Sequence, residues 1–188
     1  MKKRIFTCAM ILICFAVVVQ GTAAFYSTED TARNTITTSA VDVTLIEEQM
    51  IDGKLEPFPS GSIYSKPGMT VSKIVSVKCE DADSWVRVKV DTMFSDKEGN
   101  PLNIDMDVIE SSVLFDTNTN DWEYKDGWWY YKEPLKKGKT TENLFENVTF
   151  SKSMGNVFQG STAEIVVSVQ AVQVANNGSS VWEASGWE

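Results

Sequence analysis

Trp122-Glu123-Tyr124-Lys125-Asp126-Gly127-Trp128-Trp129-Tyr130-Tyr131 is the stretch whose reading decides the fold. Asp126-Gly127 separates two short aromatic runs. A type I′ hairpin turn needs positive φ at both central residues, and Asp followed by Gly tolerates this at little steric cost. A two-residue turn sets Tyr124 opposite Trp129 and Trp122 opposite Tyr131, so these four rings share one face. Glu123, Lys125, Trp128 and Tyr130 share the other. A three-residue loop with a bulge at Gly127 would set Tyr124 opposite Trp128 and swap the faces of the second strand. A lone ribbon is marginal in water, so further strands must complete it. The ribbon therefore reads as sheet core. Exposed rings would instead form a stacking platform of the kind carbohydrate-binding proteins use.

The flanking sequence supplies those strands. Residues 85–94 alternate cleanly: Val86, Val88 and Val90 point one way, and Arg87, Lys89 and Asp91 the other. That pattern predicts a strand with one buried and one wet face. Val41, Val43 and Leu45 alternate with Asp42 and Thr44. A β-branched run from Val71 ends at Cys79, and Ile165, Val167, Val169 and Ala171 lie within residues 163–174. Leu102, Ile104, Met106 and Val108 alternate with Asn103, Asp105 and Asp107, which predicts a weaker strand. Residues 144–150 predict another. Residues 52–68, with Pro57, Pro59, Gly61, Pro67 and Gly68, read as loop. Thr140 could cap a short helix over 140–145, although Asn143 is not the Glu of a capping box. About eight short strands with Gly, Pro and Asn turns predict an all-β, antiparallel β-sandwich.

The first residues read as a targeting segment. Met1-Lys2-Lys3-Arg4 is a basic start, and residues 5–19 are apolar but short for a membrane span. Small residues follow, and cleavage after Ala24, with Thr22 and Ala24 as the small pair ahead of Phe25, fits best; after Ala23 is second. An uncleaved membrane anchor is the alternative. Cys14 has Ile11-Leu12-Ile13 before it and is no lipid-attachment cysteine. The predicted organisation is a signal peptide at 1–24, an arm at 25–38 and a sandwich domain at 39–188. Loss of the leader removes three of 17 basic residues against 26 acidic ones, moving the net charge from −9 to about −12. Phosphate binding needs Lys/Arg stripes, so nucleic acid is not an expected partner. Only Cys79 of the three cysteines would remain, so no intrachain disulfide is expected, and it reads as a small buried apolar residue. The chain has no histidine. This removes Ser-His-Asp, Cys-His and His-Glu-x-x-His chemistry.

The order of these pieces resembles a known family. Gly21-Thr22-Ala23-Ala24-Phe25-Tyr26-Ser27-Thr28-Glu29, then Asn34-Thr35-Ile36 and Val41-Asp42-Val43, is similar to the leader junction of exported proteins processed by the SipW-type signal peptidase. Lys66-Pro67-Gly68 before a Val-rich strand, Trp85-Val86-Arg87-Val88, the hairpin with Tyr130-Tyr131-Lys132, and Val169-Gln170-Ala171-Val172-Gln173 extend the likeness over nearly the whole chain. The chain thus resembles the TasA/camelysin-like, alternate signal-mediated exported proteins of Gram-positive bacteria. The resemblance implies a secreted, jelly-roll-like sandwich, extracellular or on the cell surface. It also implies self-association into matrix or biofilm fibres, each subunit inserting its N-terminal arm into the next. Phe25, Tyr26, Thr35 and Ile36 would be the key arm residues. Camelysin has been classed as a metallopeptidase, and the missing histidines put that in doubt here.

The remaining motifs point weakly to chemistry. Asp116-Thr-Asn118-Thr-Asn120 starts like a calcium loop, but Asp121 replaces the required Gly and Gly127 stands where a bidentate Glu belongs. Asp105 and Asp107 read as the wet side of a strand rather than catalytic carboxylates. Lys136-Lys137-Gly138-Lys139 is a basic island that could meet an acidic neighbour or an anionic wall polymer. No Leu-Pro-x-Thr-Gly signal or final apolar segment points to sortase attachment. The expectation is a non-enzymatic secreted subunit without cofactor or catalytic metal. The rivals are a monomeric module for glycan or wall polymer and a secreted hydrolase.

Overall fold

The computed structural model describes residues 41–64 and 66–187. Two antiparallel five-stranded sheets face each other. Their strands, in chain order, are β1 (Val43–Ile51), β2 (Lys54–Pro57), β3 (Ile63–Tyr64), β4 (Thr70–Cys79), β5 (Ser84–Ser95), β6 (Val113–Phe115), β7 (Trp122–Lys125), β8 (Trp128–Tyr131), β9 (Phe145–Phe150) and β10 (Thr162–Gln173). A helix, α1 (Met106–Ser112), precedes β6. The first sheet runs β2-β1-β4-β9-β6 and the second β3-β10-β5-β8-β7.

The alternation of β5 decides its burial. Val86 and Val88 are fully buried, and β10 pairs with β5 along its whole length, from Thr162↔Ser95 to Gln173↔Ser84. Val167 and Val169 add their side chains to the same core, where they meet Val75 and Val77 of β4 and Val148 and Phe150 of β9. Val90 is only half-buried at the margin of this core. Among the described residues no buried side-chain nitrogen or oxygen lacks a hydrogen-bond partner. Cys79 is buried, and its thiol donates to the Ala82 carbonyl at 2.6 Å.

The hairpin takes the two-residue turn. Trp122 pairs with Tyr131 and Tyr124 with Trp129, and φ is 51° at Asp126 and 83° at Gly127. Trp122 is fully buried and its indole N–H donates to the Glu142 carbonyl at 3.0 Å. The opposite face is covered as well. Tyr130 lies 4.9 Å from the Trp182 ring and 6.0 Å from Trp187. Arg87 stacks over Trp128 at 4.2 Å and Trp187 at 4.7 Å. The aromatic C-terminal stretch therefore covers much of the outer face of β8.

Three sequence expectations are corrected. Residues 102–108 do not form a strand. Leu102 and Ile104 do pack on the core, but the chain then turns into α1, with Asp105 at its N-cap and Asp107 in its first turn, where a carboxylate suits the helix dipole. Met106 and Ile109 are one helical turn apart, a spacing the alternating pattern concealed. Residues 140–145 are extended, not helical. Thr141 N–H donates to Val77 O, Leu144 N–H donates to Val75 O, and Val77 N–H donates to Thr141 Oγ1, so pairing with β4 wins over the local cap. Residues 52–68 are not all loop: Asp52 (φ 50°) and Gly53 (φ 76°) repeat the hairpin dipeptide and join β1 to β2.

Candidate functional site

The ladder between β5 and β8 holds only Arg87↔Tyr130 and Val88↔Trp129. β5 continues to Ser95, while the hairpin tip diverges from it. Beyond Ser95 the chain turns back, and Leu102 N–H donates to the Phe94 carbonyl at 2.7 Å. Between these two points no described strand pairs the edge of β5 from Lys89 to Met93. The other edge is taken by β10, so the Leu102 bond marks the side that no described strand pairs between Lys89 and Met93. An antiparallel ladder sends the backbone groups of alternate residues to each side. Val90 and Thr92 therefore share the direction of Phe94 and present N–H and C=O groups to the open edge.

Beside this edge lies a groove of about 650 Å³. Ile109 lines it from α1, Val113 and Phe115 of β6 and Phe145 of β9 from the first sheet, and Tyr124 and Trp129 from the hairpin. The Phe115 and Phe145 rings are 4.9 Å apart, and Tyr124 and Trp129 5.1 Å. Several of its large apolar residues face solvent: Tyr124 is 56% exposed, Met93 49%, Met106 59% and Leu114 50%. Such clustering of exposed apolar side chains beside unpaired backbone is a liability in a protein that meets no partner. The polar part of the lining includes the Lys89–Asp91 ion pair at 3.0 Å, and Glu110.

Other residues singled out by sequence do structural work. Both oxygens of Asp116 accept hydrogen bonds from β9, from the backbone N–H of Glu146 and Asn147 and from the Asn147 amide, at 2.7–2.9 Å. Partial burial raises its pKa, and these donors together outweigh that, leaving it below the ordinary value. Asn118 Oδ1 accepts from the N–H groups of Asn120 and Asp121, and its amide donates to Asp121. The calcium-like stretch is thus a turn that pins β6 to β9. In the basic island, Lys136 pairs with Asp83 at 2.8 Å, and the Lys137 N–H bonds the same carboxylate. Hydrogen bonding to Lys136 first, then to the Lys137 backbone, lowers the Asp83 pKa.

No family model matches the chain, and no curated protein or solved structure shows significant similarity to it.

Of the predicted site residues, Val86 and Val88 take their expected inward places, and Val90 lies half-buried beside the open edge and lines the groove. The ribbon divides: Tyr124 and Trp129 wall the groove, Trp122 and Tyr131 pack on the core, and Trp128 and Tyr130 lie with the C-terminal stretch. Thr22, Ala24, Phe25, Tyr26, Thr35 and Ile36 lie outside the described residues. Sequence reasoning missed Met93, Met106 and Leu114. It also missed Lys73, which is buried on β4 with its ammonium 2.5 Å from Glu47 and 4.0 Å from the centre of the Phe58 ring. Burial lowers the Lys73 pKa, and the Glu47 charge partly opposes that.

Proposed function

We propose that this chain is a secreted, non-enzymatic structural subunit of extracellular fibres or cell-surface matrix. Copies join by strand addition: the arm at residues 25–38 of one copy pairs with the open β5 edge of the next. The observation that carries this reading is the stretch from Lys89 to Met93, which no described strand pairs on this side, beside a largely apolar groove. An edge of this kind is a template for a further strand, whose main chain supplies pairing while alternate side chains fill pockets. The arm suits the role: Thr31, Thr35, Ile36, Thr37 and Thr38 are β-branched, and Phe25 and Tyr26 are apolar anchors. Its 14 residues span at most about 50 Å when extended, enough to reach a neighbouring subunit. Head-to-tail insertion does not close on itself, so it gives filaments rather than dimers.

Negative-stain microscopy of the secreted protein beside a version beginning at Asn34 tests this reading. The full arm is expected to give filaments, and the shortened form, folded by circular dichroism, none. Equal assembly by both would refute arm donation. A second reading draws on the exposure of Tyr124 beside Trp129: a glycan or wall polymer could stack on this pair. Quenching of tryptophan fluorescence by soluble cell-wall glycan, abolished by Trp129→Ala but not by loss of the arm, would favour that module.

A further inference from the structure

We propose that the groove is switched off by oxidation of the two methionines that line it, Met93 and Met106. This rests on the strand-acceptor reading above and adds a means of regulation. Met93 stands on β5 at the end of the stretch that no described strand pairs, Met106 begins α1, and both line the groove. With about half of each side chain exposed, both thioethers are open to small oxidants. Met154, by contrast, is buried, and Met50 is exposed at the far end of β1, where the first sheet ends in β2.

The chemistry needs only a peroxide. The methionine sulfur attacks one oxygen of hydrogen peroxide, the O–O bond breaks, a sulfur–oxygen bond forms, and water leaves. Sulfur is oxidised by two electrons and the peroxide is reduced. The flexible apolar side chain becomes polar and chiral. A strand entering the groove would then desolvate sulfoxide oxygens at two places on its lining. Ile109, Val113 and Phe115 of the lining have no polar side-chain hydrogen to donate; of the donors beside them, Lys89 is paired with Asp91 and Thr117 donates to the Phe115 carbonyl, which leaves Thr92, Tyr124 and Trp129 to meet the new oxygens. Sulfoxide reductases reverse the change, so the block is not terminal.

The test uses the secreted protein and a fluorescent peptide of residues 25–38, with binding followed by fluorescence polarisation. Peptide mass mapping first confirms sulfoxide at Met93 and Met106 after peroxide treatment. Treated protein is expected to bind the peptide about tenfold or more weakly than untreated protein. Met93→Leu/Met106→Leu protein should keep its affinity after the same treatment, whereas Met50→Leu protein should lose it as the natural chain does. Unchanged binding by protein carrying both sulfoxides overturns the switch while leaving the strand-acceptor reading intact. Equal loss in the double-leucine variant also overturns it, since the sensitive group would lie elsewhere. Failure of untreated protein to bind the peptide overturns the strand-acceptor reading itself, and the switch with it.

Discussion

Glu47→Gln should be among the most damaging single changes on β1, because of what it leaves behind. The Lys73 side chain is 3% exposed and its ammonium meets Glu47 at 2.5 Å, with the Phe58 ring at 4.0 Å on another side. The amide keeps the shape and one hydrogen bond but removes the compensating charge. The ring attracts the cation by about 0.5–2 kcal/mol, less than the desolvation of an ammonium costs. Removing one partner of a buried pair typically costs about 3–5 kcal/mol. A loss near the lower end is expected here, since Glu47 is 29% exposed and water can reach that side. Urea unfolding followed by tryptophan fluorescence measures it. The pH dependence gives a second signature. Burial already holds the folded Lys73 pKa below 10.5, so the native state binds fewer protons than the unfolded one between the two values. Stability from this group therefore rises as pH climbs through that window, and the cost is fully present below it. The Glu47→Gln deficit should shrink at alkaline pH. A joint change, Lys73→Met with Glu47→Leu, should restore stability close to the starting value. A Glu47→Gln loss under about 1 kcal/mol at neutral pH would show that the ammonium is not confined as described.

Val88→Asp should cost several kcal/mol, about 1.5–3 for the lost valine plus the penalty for a buried charge, and an unchanged thermal melt would refute the β5 register. Gly127→Ala should cost about 1–2 kcal/mol by backbone strain alone, since φ is 83° there and no atom lies within 4 Å of an added Cβ; a neutral result would refute the type I′ turn. Asp116 has a folded pKa below its ordinary value, so its contribution is complete above the unfolded carboxylate range and disappears as pH falls through the folded one. Asp116→Ala should lower the melting temperature at neutral pH and bring it close to that of the natural chain in strong acid.

What the sequence made legible follows from which forces are local. The hairpin register depends on Asp126-Gly127 and two adjacent runs, and the alternation at Val86 and Val88 reports a face that any sandwich buries. The Asp52-Gly53 signal was equally local, but Pro57 and Pro59 dominated the reading and concealed β1–β2. Helix α1 was missed because Leu102, Ile104, Met106 and Val108 alternate, whereas only the first two use that alternation; Asp105 then ends the extended run. The groove could not be read at all. Nothing in the residues from Lys89 to Met93 differs in kind from Trp85 to Val88. What differs is where β8 stops, which is set by the divergence of the hairpin and by the return of the chain at Leu102. Burial of Lys73 likewise required the approach of Phe58, whose N–H bonds Glu47 O across the edge of the first sheet.

Amide hydrogen exchange at Val90 and Thr92 reads the pairing state of the β5 edge most directly. In the dispersed protein these two amides should exchange fast, while those of Val166 and Ser168, in the paired β5–β10 ladder, stay protected. In filaments, or on saturation with the peptide of residues 25–38, the Val90 and Thr92 amides should slow by orders of magnitude as a strand pairs with them. Filaments in which Val90 and Thr92 still exchange as freely as in the dispersed protein would contradict the account.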